Sequence, residues 1–258
     1  MPDISARVHE LRALENLSAG TTMIHRLHPL AKLIATFVVI VVVASFGRYE
    51  FFFLIPYLFY PFVMMALAEL PYKLMLSRVL IALPFCLFAG ISNVIFDRGT
   101  AFMVGGIAVS LGVVSLATIL LKMYLCVMAA LLLVATTPFT ELTSQLRRLH
   151  VPMVFVMIFE MTFRYIGVLL EEVHSMMTAY TLRSGTKRAL DIRHMGSFLG
   201  QLVLRGFDRA ERVHAAMRCR GYSLRHLPKP RQPLRGSDIA LLALVCLPVV
   251  VLRFLAVG

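Results

Sequence analysis

Runs of apolar residues long enough to cross a lipid bilayer are the feature that most constrains this chain. A membrane-spanning helix needs about 20 apolar residues, and residues 30–46, 51–68 and 79–96 each form such a run. The sequence predicts short polar turns between and after them, at 47–48, 71–78 and 97–98. Only 16% of the 258 residues are charged, against about 25% in a typical soluble domain. Because one water-soluble core cannot bury this much apolar surface, the sequence predicts an all-α integral membrane protein.

Two further spans complete the predicted membrane region. The apolar stretch 103–135 has 33 residues, too many for one span and too few for two with a turn. Its front part contains Gly105, Gly106 and Gly112, so we interpret it as an irregular segment at the outer surface and predict a fourth helix at about 116–136. Residues 238–255 predict a C-terminal span, which makes about five transmembrane helices in all.

Residues 151–170 resemble a sixth span by hydropathy, but their charges argue against it. The stretch contains Glu160 and Arg164, and each charge at a helix centre costs about 3 kcal/mol of insertion. Residues 136–237 contain 16 lysines and arginines against seven acids, which places +9 of the total +12 there. Since basic segments stay in the cytoplasm, we predict a long non-crossing helix over 151–183, with Glu160 and Arg164 paired four residues apart.

These assignments divide the chain into four predicted regions. They are a cytoplasmic N-terminal segment at 1–29, a four-helix transmembrane region at 30–136, a cytoplasmic helical region at 137–237 and a C-terminal transmembrane helix at 238–258. The N-terminal segment lacks the basic-then-apolar pattern of a cleaved signal peptide.

A second long cytoplasmic helix is predicted over about 193–220. Asp191 is its candidate N-cap and Gly221 its candidate C-cap. Apolar and small residues recur at spacings of four and three, which is one face of an amphipathic helix: Leu199, Val203, Gly206, Ala210, Val213 and Met217. Gly196 with Gly200, and Gly206 with Ala210, are small residues four apart, a spacing that permits close helix crossing but also arises by chance.

Both long cytoplasmic helices end on an arginine beside a glycine. The first ends Leu182-Arg183-Ser184-Gly185, and the second ends Cys219-Arg220-Gly221. A cation in the last turn is favoured by the helix dipole by about 0.3–1 kcal/mol, so any helix can end in this way. Alternatively, the two tips present guanidinium groups to carboxylates and carbonyls of a partner. The pattern alone leaves both interpretations open.

Three stretches of the chain resemble the transmembrane T components of energy-coupling factor (ECF) transporters, and among these the cobalt-type CbiQ family. They are residues 24–33 before the first span, residues 136–139 after the fourth, and residues 208–222. The resemblance extends from about residue 20 to 225. The family has two Ala-Arg-Gly-like motifs at the ends of its coupling helices, which match Leu182-Arg183-Ser184 and Cys219-Arg220-Gly221 here. Leu182 and Cys219 replace the usual alanine, and Ser184 replaces a glycine.

The resemblance implies a non-catalytic coupling subunit of an ATP-driven importer for cobalt ions in a prokaryotic plasma membrane. Its implied partners are two cytoplasmic ABC-type ATPases, which receive the two motifs, a membrane-embedded substrate-binding subunit, a small accessory membrane subunit and the lipid bilayer. The coupling helices would cross and contact the substrate-binding subunit at Gly196, Gly200, Gly206 and Ala210. No cofactor is implied for this chain, since ATP would bind the partners. Nickel or a vitamin are alternative substrates.

Other function classes are less compatible with the residues. No GxxxxGK[ST] loop for ATP is present, and no catalytic triad, carboxylate pair or HExxH motif indicates an enzyme. Histidines four residues apart are also lacking, so we expect no metal site. The arginines alternate with acids without stacking aromatics, which disfavours nucleic acid. A self-contained secondary transporter is the main alternative, and Lys122 is its candidate ionisable residue, although near the outer end of its helix Lys122 would simply snorkel.

Overall fold

The computed structural model describes residues 20, 22–97, 99–104, 107–147, 149, 151–184, 191–222 and 236–257. The chain divides into two units. We call residues 16–142 with 232–258 the core unit, and residues 1–15 with 143–231 the arm unit.

The core unit opens with a helix that is capped by its own preceding residue. Helix α1 covers Pro29–Ser45, and the Nδ1 atom of His28 accepts a hydrogen bond from the backbone N–H of Leu30 at 3.1 Å. Proline suits the first helical position because its missing N–H has no helical partner there. With 17 residues, α1 is about 25 Å long, slightly less than the hydrocarbon thickness.

The second apolar run is helical but not regular. It consists of α2 (Phe51–Leu54), a 3₁₀ turn (Ile55–Leu58) and α3 (Phe59–Ala68). Pro56 lies in the 3₁₀ turn, where its missing N–H interrupts the regular hydrogen-bond ladder. Glu69 then ends α3 in the left-handed conformation, with φ of 54°.

Helix α4 covers Tyr72–Phe96 and begins earlier than we predicted. The sequence indicated a polar turn over 71–78 because Lys73 and Arg78 lie there. In the structure these residues form the first two turns of the helix, since Met75 and Val79 lie four residues apart and are both buried. The polar turn was therefore a wrong prediction.

An antiparallel hairpin follows α4, formed by β1 (Thr100–Val104) and β2 (Ile107–Ser110). Helix α5 begins directly after it and covers Leu111–Thr136. Our predicted helix start at about residue 116 was wrong, because Gly112 is already helical. Gly105 and Gly106, which also supported the predicted irregular segment, lie outside the described residues. A Cβ atom at Gly112 would lie 2.7 Å from the carbonyl oxygen of Asn93 and 2.7 Å from the Cα atom of Val94. The glycine thus permits close approach of α4 and α5.

Helix α5 is central to the core unit. Its buried residues belong to two clusters of apolar side chains. One cluster includes Met65, Met75, Met128 and Leu132; the other includes Val39, Leu54, Leu125 and Val249. Val249 belongs to α9 (Gly236–Val257), and its carbonyl accepts a hydrogen bond from the Tyr57 hydroxyl at 2.7 Å.

The arm unit is built on two long helices. After α6 (Phe139–Leu146), α7 covers Met153–Ser184 and α8 covers Ile192–Cys219. They have 32 and 28 residues, or about 48 and 42 Å. Both predicted caps of α8 are confirmed. The Asp191 side chain accepts a hydrogen bond from the backbone N–H of Arg193 at 3.3 Å, and Gly221 has φ of +69°. Gly185 lies outside the described residues.

The prediction of an all-α membrane protein is confirmed, with one short hairpin as the exception. Within the described ranges, four segments are long and apolar enough to cross a membrane: Phe51–Ala68, Tyr72–Ile95, Leu111–Thr136 and Met153–Ser184. The last is α7, which qualifies by length and composition. That it does not cross stays a prediction.

Candidate functional site

Helix α8 presents an apolar face that nothing in the described chain covers. None of its 28 residues is buried. Ile192, Leu199, Val203 and Phe207 recur at spacings of seven and four, which places them on one side of the helix. Their exposed fractions are 84%, 50%, 55% and 67%. We call these four residues the α8 apolar stripe.

The predicted crossing residues separate into two groups. Gly206 lies next to α7, because a Cβ atom there would make ordinary contact with Leu169 at 3.9 Å. Gly196 and Gly200 have open space around them, and Ala210 is exposed. Their proposed contact with a substrate-binding subunit stays a prediction.

The two arginine motifs lie at the ends of α7 and α8. Arg183 is exposed in the last turn of α7, and the neighbouring Leu182 is 79% exposed. The Ser184 hydroxyl donates a hydrogen bond to the Thr181 carbonyl at 3.3 Å, which supports the final turn of α7.

The second motif ends α8 in a similar way. The Arg220 backbone N–H bonds to the carbonyls of Ala216 and Met217 at 3.2 and 3.1 Å, so its backbone closes the helix while its side chain is exposed. Cys219 is also exposed, and Gly221 turns the chain away. Among the residues described, neither Arg183 nor Arg220 forms an ion pair. Both guanidinium groups are therefore available to a partner.

Tyr180 connects the two long helices near the first motif. Its hydroxyl lies 3.3 Å from Nδ1 of His194 and accepts a hydrogen bond from the backbone N–H of Asp191 at 3.5 Å. This contact holds the first turn of α8 against the last turns of α7, three residues before Arg183. We did not identify Tyr180 from the sequence, because a lone tyrosine has no pattern that marks it.

The start of α7 is held by an ion pair different from the one we predicted. Glu160 pairs with Arg147, whose Nη2 lies 3.0 Å from both carboxylate oxygens, and not with Arg164, which is exposed. Arg147 lies between α6 and α7, thirteen residues before Glu160. The two paired side chains are only 15% and 29% exposed, so their charges interact more strongly than a surface pair would.

A buried polar cluster in the core unit joins two of the stretches that carried the family resemblance. Lys32, from the stretch 24–33, is 3% exposed, and its Nζ donates hydrogen bonds to the carbonyl of Thr136 at 2.7 Å and to that of His25 at 3.4 Å. Asp238 of α9 accepts a hydrogen bond from the backbone N–H of His28 at 2.9 Å. The cluster therefore ties α1 to the end of α5 and to α9.

Lys122 has a structural role that the sequence did not indicate. It is the twelfth residue of α5, deeper than we predicted, since the helix begins at Leu111. Its Nζ donates hydrogen bonds to the carbonyls of Ala44 and Phe46, while Arg253 of α9 donates to the carbonyl of Ser45 at 3.0 Å. Two cations thus cap the C-terminal end of α1, where the helix dipole favours positive charge.

Metal-ligating side chains are dispersed in the described part of the chain. No three histidine, cysteine, aspartate or glutamate residues there lie close enough to hold a metal ion. The expectation that this chain has no metal site stays a prediction.

Fold and site together define a multi-pass helical membrane protein with an arm of two long helices, each of which ends on an exposed arginine. The particular family follows from comparison with known proteins. A family model described as CbiQ, cobalt transport protein, matches residues 20–233. The chain belongs to this family, and the predicted resemblance to an ECF T component of the CbiQ type is confirmed.

Several curated sequences are similar to the chain. The energy-coupling factor transporter transmembrane protein EcfT of Ruminiclostridium cellulolyticum is 24% identical over 217 residues, which cover 79% of this chain and 80% of the relative. The cobalt transport protein CbiQ of Rhodobacter capsulatus is 34% identical over 35% of this chain and 37% of the relative.

The nickel permease LarQ of Lactiplantibacillus plantarum is 32% identical over 34% of this chain and 32% of the relative. The chain thus spans about a third to a half of the length of the first curated relatives that it matches.

Proposed function

We propose that this protein is the T component of an ECF-type metal-ion importer, which transmits the motion of two cytoplasmic ATPases to a substrate-binding membrane subunit. The observation that carries the proposal is α8: a 28-residue helix with no buried residue, an uncovered apolar stripe and an arginine at its end. Such a helix is costly in water unless a partner covers it.

The first step of the proposed mechanism is docking of the ATPases. Arg183 and Arg220 each present a planar guanidinium with five donors, which matches carboxylates and backbone carbonyls. Each of the two helix tips would bind one ATPase. When ATP brings the two ATPases together, the bound tips would move with them.

The second step is transmission along the arm. Helices α7 and α8 are tied to each other by the Tyr180 contact at one end and by an ion pair between Arg205 and Glu172 further along. Because helices of about 42–48 Å resist bending more than loops do, displacement at the tips would change the position of the whole α8 apolar stripe.

The third step is movement of the substrate-binding subunit. Full burial of one large apolar side chain contributes about 1.5–3 kcal/mol, so the four residues of the α8 apolar stripe could hold that subunit firmly. The core unit, tied together by Lys32 and Asp238, would serve as the membrane anchor. The +9 charge of residues 136–237 supports a cytoplasmic location for that region.

Cobalt is the substrate that we propose, on the strength of the family description and the CbiQ relative. The similarity to a nickel permease keeps nickel as the alternative. The two are separated by measuring uptake of radioactive cobalt and nickel when the chain is co-expressed with its substrate-binding partner and ATPases.

The docking step is tested by charge reversal at both tips. We expect R183E/R220E to lower co-purification of the ATPases at least tenfold, because each reversal replaces an attractive contact by repulsion. The matched control is R164E/R193E, which makes the same change in net charge at two exposed arginines of the arm unit that form no ion pair within its described part. Unchanged co-purification and uptake with R183E/R220E would show that the tips are not docking sites.

A secondary transporter makes a different prediction, namely uptake by the chain alone in proteoliposomes without ATPases. The Lys122 ammonium group, its candidate ion-relay site, already donates hydrogen bonds to the end of α1. This contact favours the coupling proposal over a transporter that works alone.

A further inference from the structure

A cleft between α7 and α8 lies apart from both arginine tips. Its volume is about 240 Å³. Eight residues line it: Val168, Leu169, Glu172, Arg205, Gly206, Asp208, Arg209 and Arg212. The proposed coupling mechanism uses only the Arg205–Glu172 ion pair that crosses the cleft and assigns no ligand to the space itself.

The arginines of the cleft come from one face of α8. Arg205, Arg209 and Arg212 follow one another at spacings of four and three, so their side chains lie side by side. Like charges at these spacings repel, by about 0.2–0.5 kcal/mol for each pair in an exposed helix. The arrangement is therefore unfavourable unless anions compensate it.

The carboxylates of the cleft compensate only part of this charge. Glu172 pairs with Arg205. Asp208 also lines the cleft, but among the described residues it forms no ion pair with Arg209 or Arg212. Two guanidinium groups thus line the space with no acid bound to them, and Gly206 beside them contributes no side chain that would fill it.

We infer that this cleft binds a phosphate group, carried either by an anionic phospholipid or by a small soluble phosphate. Guanidinium groups bind phosphate oxygens with paired, charge-assisted hydrogen bonds, and two adjacent arginines can contact different oxygens of one tetrahedral group. Val168 and Leu169 form an apolar wall beside them, which suits the glycerol ester region of a phospholipid. The inference does not depend on the proposed coupling function, because neither Arg183 nor Arg220 lines the cleft.

The test measures binding to the full-length protein in neutral detergent by calorimetry. The probes are dioctanoyl phosphatidylglycerol for the lipid and inorganic pyrophosphate for the soluble source. We expect R209Q/R212Q to weaken binding on the order of 30-fold, since each arginine contributes roughly fivefold near an anionic surface. The matched control R164Q/R193Q removes the same charge outside the cleft, and its affinity should stay within about twofold of the native protein.

The two probes distinguish the sources of phosphate. If the protein binds phosphatidylglycerol but not pyrophosphate, the site is assigned to a lipid. If pyrophosphate competes with phosphatidylglycerol for binding, the site is assigned to a soluble ligand. The inference is overturned if R209Q/R212Q binds both probes like the native protein, or if the control weakens binding equally. It is also overturned if the variant loses only co-purification of the ATPases, since the arginines would then contact protein.

A second variant guards against misfolding of the first. D208N removes the carboxylate that lines the cleft and keeps the size of the side chain. We expect it to tighten binding of either phosphate probe several-fold, because a repulsive charge is lost. Weaker binding to D208N would contradict an anion site.

Discussion

Replacing Gly112 by alanine tests the closest helix contact in the core unit. The new Cβ would lie 2.7 Å from the carbonyl oxygen of Asn93, 2.7 Å from the Cα atom of Val94 and 3.0 Å from the carbonyl oxygen of Asp97. All three are backbone atoms, which cannot rotate away as a side chain can. Helices α4 and α5 would have to separate by several tenths of an ångström along a contact that organises the core unit.

The size of the effect follows from two opposing contributions. Overpacking costs about 1–3 kcal/mol, and contact with backbone favours the upper end. Alanine is a better helix former than glycine by about 1 kcal/mol, which offsets part of that cost. The net loss of about 2 kcal/mol corresponds to a melting temperature about 4–8 °C lower for a protein of this size.

Two other glycines provide graded controls. At Gly90 of α4 the nearest atoms belong to the Leu116 side chain, at 3.0 Å, which can adjust, so G90A should cost less than G112A. At Gly200 there is open space, so G200A should be neutral or stabilising.

The assay is thermal unfolding in detergent, followed with a thiol-reactive dye that reports exposure of the native cysteines, of which Cys86, Cys126 and Cys246 are partly buried. If G112A melts within about 1 °C of the native protein, or no lower than G90A, the tight backbone contact between α4 and α5 does not exist.

Three further predictions concern the polar contacts. K32M should lower the melting temperature by about 4–8 °C, because it removes a charge-assisted hydrogen bond to the Thr136 carbonyl worth about 2 kcal/mol; a shift below about 1 °C would contradict its structural role. A double-mutant cycle of R147Q and E160Q should give a coupling energy of about 1 kcal/mol or more, whereas the same cycle on E160Q and R164Q should give none. The Tyr49 hydroxyl donates a hydrogen bond to Asp97, and this bond raises the pKa of Tyr49. The contact therefore stabilises the fold at pH values below the unfolded tyrosine pKa of about 10, and this stabilisation is lost as the pH rises through the pKa of the folded state. NMR titration of labelled tyrosine, assigned with Y49F, should show a lower pKa in D97N, and no change would refute the contact.

Local signals in the sequence account for most of the helices and for the ends of α8. The free energy of transferring an apolar segment into a bilayer depends on the residues of that segment alone. Hydropathy was therefore enough to locate the apolar runs of α1, α3, α5 and α9. Caps are equally local: Asp191 accepts a hydrogen bond two residues away, and Gly221 adopts a conformation that few other residues tolerate. The arginine motifs could be found for the same reason.

The partners of the polar and small residues were decided only by the tertiary structure. Glu160 has Arg164 four residues away on its own helix but pairs with Arg147, thirteen residues earlier and outside α7. A glycine such as Gly112 is typical of loops, but here it lies in a helix and permits close contact with another helix. Lys122 caps the end of a helix 76 residues earlier in the chain. Each outcome depends on which surfaces meet once the helices pack, and spacing along a single helix carries no information about that.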